Sequence, residues 1–172
     1  MIKKLLLAAA ALCSLAACQT TIPQTDTTPP VITMLVQGPA GQCIQSSPGG
    51  GHEADCPITY GFNDTLTFEL SVKDSGGVKL ARIAVPSQFE AYDALTSPNS
   101  TLRVTYTPSS TVITAVGDSS HPVDQIVITG KITTGNIPAR PYLTMSAEDF
   151  GGQSRTPNRT EWDGAVISVA AP

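Results

Sequence analysis

Thr65-Leu66-Thr67-Phe68-Glu69-Leu70-Ser71-Val72-Lys73 alternates without a break, with Leu66, Phe68, Leu70 and Val72 on one side. A period of two over this length marks a strand with one buried face. Asp74-Ser75-Gly76-Gly77 supplies a turn, and Val78 to Val85 runs back as a second strand, ended by Pro86. Further strands are predicted at Val31–Val36, Leu102–Thr107, Thr111–Val116, Gln125–Lys131, Tyr142–Ala147 and Ala165–Ala170. Gly and Pro punctuate the intervals. The stretch Ser87 to Leu95 reads as a short helix or an irregular crossover. Helical periodicity is hard to find elsewhere, and no segment repeats at a fixed period. Short strands at this spacing predict an all-β chain folded as a β-sandwich, because a parallel α/β sheet needs helices between its strands.

The N-terminus follows a different pattern. Lys3 and Lys4 precede twelve mostly apolar residues, Leu5 to Ala16. As a helix these reach about 18 Å, short of the roughly 30 Å hydrocarbon core of a bilayer. The segment reads as the core of a signal peptide over residues 1–17, not as an anchor helix. Residues 19–30, Gln-Thr-Thr-Ile-Pro-Gln-Thr-Asp-Thr-Thr-Pro-Pro, have almost nothing apolar to bury. With residue 18 they form an extended tether, roughly 35–40 Å long at about 3.1 Å per residue. The folded domain is expected over 31–172.

Composition removes several function classes. The chain has 172 residues, 14% of them charged, and a net charge of −4. So few charges argue against a coiled coil or a charged disordered chain. The acidic balance lacks the basic surface of a nucleic-acid binder.

Leu15-Ala16-Ala17-Cys18 resembles the lipobox of bacterial lipoproteins. The resemblance implies cleavage before Cys18, a diacylglyceryl group on its thiol and acylation of the new amine. Gln19, where that family uses Asp for inner-membrane retention, implies the outer membrane. Cleavage would remove Lys3 and Lys4 and no acid, taking the net charge from −4 to −6. Repulsion from anionic lipid costs about 1 kcal/mol per charge near the surface. Each acyl chain gains about 0.8 kcal/mol per buried CH₂, so the lipid dominates. Cys13 would leave with the signal, and Cys43 and Cys56 would remain as an even pair in an exported protein. They are expected to form a disulfide closing a short loop, a stabilisation of roughly 3 kcal/mol in the chain-entropy view.

Three further pieces are similar to bacterial immunoglobulin-like and cadherin-like domains. Asp26-Thr27-Thr28-Pro29-Pro30-Val31-Ile32 resembles the start of such domains, and Val72-Lys73-Asp74-Ser75-Gly76-Gly77-Val78 the hairpin joining their second and third strands. Ala147-Glu148-Asp149-Phe150-Gly151-Gly152 resembles their late A-x-D-x-x-G-N turn, with Gly152 where Asn is commoner. The resemblance implies an immunoglobulin-like sandwich. In that frame the Cys43–Cys56 loop and the stretch from Pro86 to Asp124 would be insertions. The antibody Cys…Trp…Cys signature is missing, since Trp162 follows both cysteines. The family sometimes binds calcium at strand ends, which points to Asp26, Asp74 and Asp149 as metal candidates. Each of them equally serves as the cap of its own turn. No cofactor is otherwise expected.

Catalytic candidates fare less well. Gly117-Asp118-Ser119-Ser120-His121-Pro122-Val123-Asp124 gathers Ser, His and Asp within eight residues, without a G-x-S-x-G elbow, and neighbours so close rarely form a triad; the stretch reads equally as a polar turn before the strand at Gln125. His52, Glu53 and Asp55 do not have the H-E-x-x-H spacing of zinc sites. Asn63-Asp64-Thr65, Asn99-Ser100-Thr101 and Asn158-Arg159-Thr160 match a glycosylation triplet that bacteria usually leave unread. The expectation is a non-enzymatic, lipid-anchored envelope module that works by binding or structural support. Its partners would be the membrane, through Cys18, and an envelope protein or polysaccharide contacted by end loops, above all the Cys43–Cys56 loop. Two alternatives are a polysaccharide-directed hydrolase using carboxylates such as Glu90 or Glu161, and an accessory subunit of an envelope complex.

Overall fold

The computed structural model describes residues 21–23, 25–39, 41–47, 55–56, 64–134, 142–152 and 156–167. Among these there is no helix. Eleven strands run in chain order: β1 (Val31–Gly38), β2 (Gly41–Ser46), β3 (Asp55–Cys56), β4 (Thr65–Lys73), β5 (Val78–Pro86), β6 (Phe89–Thr96), β7 (Ser100–Tyr106), β8 (Ser110–Gly117), β9 (Gln125–Thr134), β10 (Tyr142–Asp149) and β11 (Arg159–Ile167). They form a five-stranded sheet in the order β2-β1-β4-β9-β6 and a six-stranded sheet in the order β3-β11-β10-β5-β8-β7. All ladders are antiparallel except the two-residue pairing of β3 with β11. The two sheets pack face to face as a β-sandwich.

The alternation of β4 is realised in full. Leu66, Phe68, Leu70 and Val72 are buried and the residues between them face outward. Ile32, Met34 and Val36 of β1 and Ile126, Ile128 and Ile132 of β9 join them from the same sheet. Ala81, Ile83 and Val85 of β5, Ile113 and Ala115 of β8, and Leu143, Met145 and Ala147 of β10 meet them from the other. Each large aliphatic side chain so buried contributes about 1.5–3 kcal/mol.

Three expectations change. Asp74–Gly77 is not the turn of a hairpin. β4 pairs with β1 and β9, and β5 with β10 and β8, so the turn carries the chain from one sheet to the other. Ser87–Leu95 holds neither helix nor crossover but most of β6. Phe89 and Ala91 point inward, and then a register shift, with Asp93 at φ 52°, breaks the alternation and hides the strand in the sequence. β11 begins already at Arg159 rather than Ala165, because its first half is polar and Trp162 is the apolar residue it buries there. The stretch from Pro86 to Asp124 supplies β6, β7 and β8 to the two sheets, and β2 lies along β1.

Candidate metal centre

Three acids from distant parts of the chain meet at one end of the sandwich, and the ladder registers show why. Val31 pairs with Lys73, so the segment preceding β1 and the turn following β4 leave the first sheet side by side. Asp149 pairs with Val78, so the last residue of β10 arrives where that turn enters the second sheet. Asp26, Asp74 and Asp149 thus present carboxylate oxygens that all lie within 4.8 Å of one another. Asp149 is fully buried and Asp74 is 6% exposed.

In each residue Oδ1 serves the local chain. The Gly76 amide donates to Asp74 Oδ1 at 2.7 Å, and the Thr28 amide donates to Asp26 Oδ1 at 3.0 Å. Asp149 Oδ1 accepts from the amides of Gly151 and Asn158, both at 2.7 Å. The second oxygens are left for the cluster. Asn158 Nδ2 donates to Asp149 Oδ2 at 2.6 Å and to the Asp26 carbonyl at 2.9 Å, which ties the acids to one another. Asp26 Oδ2 is buried and has no hydrogen-bond donor. Gly76 is required by this approach, since a Cβ there would collide with Asp26 Oδ2. Gly151 takes φ +68° and a Cβ on it would strike the Thr156 carbonyl, so that turn too is closed to other residues. The chain before β1 is held here as well: Thr160 Oγ1 donates to the Pro30 carbonyl at 2.6 Å, and Pro30 is buried.

The electrostatics are unfavourable for a bare protein. Burial pushes the Asp74 carboxyl up to about 6, and the neighbouring charges of Asp26 and Asp149 add to the shift while the Gly76 amide opposes it. None of the ion pairs among the described residues includes these acids; Lys79, His121, Lys131 and Arg159 pair with Glu148, Asp118, Asp93 and Glu161 instead. An all-oxygen, acid-rich donor set without His or thiolate suits a hard divalent cation, calcium above all. The orphaned Asp26 Oδ2 fits such an ion. Asp26, Asp74 and Asp149 would hold it, and it would supply the positive charge that the cluster lacks.

The other sequence candidates do not assemble this way. Asp118, Ser120 and His121 do touch: Ser120 Oγ and its amide donate to Asp118 Oδ1, at 2.5 and 2.8 Å, and His121 Nδ1 lies 3.1 Å from Asp118 Oδ2. The whole group is exposed and spans four consecutive residues, an Asp-capped turn. The donors from Ser120 and His121 hold the Asp118 carboxyl down at about 2. Glu90 points outward from β6 of one sheet, and Glu161 outward from β11 of the other, where Arg159 pairs with it at 2.6 Å. They do not form a facing carboxylate pair. Cys43 is buried in β2, and Cys56 sits in β3. The Cys56 side chain, His52, Glu53 and Cys18 lie outside the described residues, as does most of the loop from Cys43 to Cys56. Asn158 is the residue that sequence reasoning missed. It was legible only as the first letter of an N-x-T triplet, although Gly152, in the place where the resemblance would put Asn, left an amide unaccounted for.

No protein-family model matches the chain, and no curated protein matches it.

Proposed function

We propose that this chain is a lipid-anchored cell-envelope protein whose immunoglobulin-like sandwich acts as a binding or structural module, and that it binds calcium through Asp26, Asp74 and Asp149. The observation that supports the reading most is where the three acids converge. Asp26 belongs to the Thr/Pro-rich segment that follows Cys18, whereas Asp74 and Asp149 belong to the sandwich. An ion shared among them joins tether and domain. It makes the last tether residues part of the folded end and leaves the residues between Cys18 and Asp26 as the spacer to the lipid. The lipobox resemblance supplies the anchor, and the Cys43–Cys56 disulfide would stiffen the loop that follows β2.

Two measurements test the two halves of the proposal. Titration calorimetry of the full chain with calcium should show binding that is lost in Asp26→Asn and in Asp74→Asn; a silent wild type removes the ion. Intact mass of the native protein should show acyl additions on a chain beginning at Cys18, and detergent phase partitioning should move Cys18→Ala out of the mature lipidated form. A mature N-terminus elsewhere removes the anchor and leaves the calcium site untouched.

A further inference from the structure

The two sheets do not end together. β7 is the last strand of the six-stranded sheet and pairs only with β8, in an unbroken register from Ser100↔Gly117 to Tyr106↔Thr111. Its inward row is Leu102, Val104 and Tyr106, opposite Ala115, Ile113 and Thr111. Leu102 packs against the core, but Val104 is 40% and Tyr106 74% exposed. The facing sheet stops short of them at β6. Apolar side chains on the core side of a sandwich are thereby left uncovered.

The backbone of β7 is equally open. At the turn to β8 the Thr107 amide donates to the Ser110 carbonyl at 2.8 Å. Alternation along an antiparallel ladder then aims the amides and carbonyls of Thr105, Arg103 and Thr101 at β8. Those of Leu102, Val104 and Tyr106 face the free edge. Edge strands are normally guarded by bulges, prolines or repeated charges. β6 is guarded in this way, by its register shift at Tyr92–Leu95 and by Glu90 and Asp93. β7 has no bulge and no proline, and Arg103 is its one charge.

We propose that β7 is a self-pairing edge, through which two copies of the chain join antiparallel about a two-fold axis at Val104. The order Leu102-Arg103-Val104-Thr105-Tyr106 is self-complementary about its centre. Val104 meets Val104 of the second copy, Leu102 meets Tyr106, and Arg103 meets Thr105. The same three residues that face the free edge are the ones this register pairs, so each N–H and C=O finds a partner. On the inward face the apolar row becomes continuous across both copies, and Tyr106 of one covers Leu102 and Val104 of the other. On the outward face the two arginines each oppose a threonine, not each other. A one-residue slip in either direction would set apolar residues against polar ones and waste the open hydrogen-bonding groups. The interface is isologous and closes at two copies, joining the six-stranded sheets into one.

Cross-linking in the full chain tests the register. Residues facing each other in such a pair have Cα atoms about 5.5 Å apart, within disulfide reach. Val104→Cys should oxidise to a dimer that reducing agent dissolves. Thr101→Cys, three residues from the axis and so far from its own copy, should give no more dimer than the parent chain. Sedimentation of the full chain in density-matched detergent should show a dimer for wild type. Val104→Lys, which opposes two ammonium groups at the axis, should sediment as a monomer that still unfolds cooperatively, with a melting temperature that no longer depends on protein concentration. A monomeric wild type, or equal cross-linking in the two cysteine variants, overturns the proposal. If the Val104→Cys variant instead forms an adduct with a chain of a different mass, the self-pairing is overturned in favour of a foreign strand on the same edge.

Discussion

Two clusters in this molecule are built from the same kinds of residue and behave in opposite ways. Asp118, Ser120 and His121 come from four consecutive residues, stay in solvent, and satisfy one another within a turn. Asp26, Asp74 and Asp149 come from three segments spread over most of the chain, and two of them are buried. The first cluster stabilises its ionised acid, with a carboxyl held at about 2; the second penalises it, with a carboxyl raised to about 6. Local polar clusters form because short side chains bond to the nearest backbone, and they carry no cost that needs explaining. A distant, desolvated cluster of like charge does carry such a cost, which a bound cation would offset.

The largest expected effect is at Asp149. Asp149→Ala leaves the amides of Gly151 and Asn158 and the Asn158 side chain without their acceptor in a buried turn. It should lower unfolding stability in urea by about 3 kcal/mol, given about 1–3 kcal/mol for each buried partner left unsatisfied. A loss below about 1 kcal/mol would erase the distinction between the two clusters.

Next comes the ion. Ligand at a hundred times its dissociation constant stabilises the native state by about 2.7 kcal/mol. In a domain of this size that is a rise in melting temperature of about 5–10 °C. Calcium should produce it in wild type at neutral pH and a chelator should reverse it, with His121→Ala behaving like wild type and Asp74→Asn not responding.

The pH dependence sharpens the comparison further. Asp74 has a raised carboxyl, so the folded state holds its proton more tightly than the unfolded state does. Its contribution is fully present below the unfolded value of 3.8 and is lost as pH rises through about 6. Chelated wild type should therefore lose stability relative to Asp74→Asn between about pH 4 and pH 6, and thermal melts of the pair across that window will show it. Asp118 has a lowered carboxyl, and its contribution is present above 3.8 and lost as pH falls toward 2. Asp118→Asn should therefore lie slightly below wild type at neutral pH and converge with it as pH falls toward 2.

The smallest effect is at His121. Its ring is exposed and bonds only within the turn, so His121→Ala should leave the melting temperature unchanged at neutral pH. A clear drop would mean that the turn is not the autonomous unit described.

Much of this was legible in the sequence for a simple reason. Side chains alternate strictly along a strand, so a half-buried strand writes its two faces into the chain, as β4 does from Leu66 to Val72. The three acids were legible too, but only through a resemblance of short turns, and as separate residues. Where alternation broke, legibility ended: the bulge at Asp93 hid β6, and the polar start of β11 hid its first half. The class of fold and the polar ends of the strands follow from the order of residues alone. That Asp74–Gly77 passes between sheets does not, because a hairpin turn and a sheet-crossing turn use the same Asp and Gly residues. Which ladder each strand joins is a long-range choice made by packing, and that choice alone brings Asp149 beside Asp74 and lets Asn158 reach both Asp149 and the Asp26 backbone. The same choice leaves β7 overhanging its neighbours. The acidic site and the open edge exist only once the sheets have packed, because burial and proximity belong to the assembled sandwich and to no single strand within it.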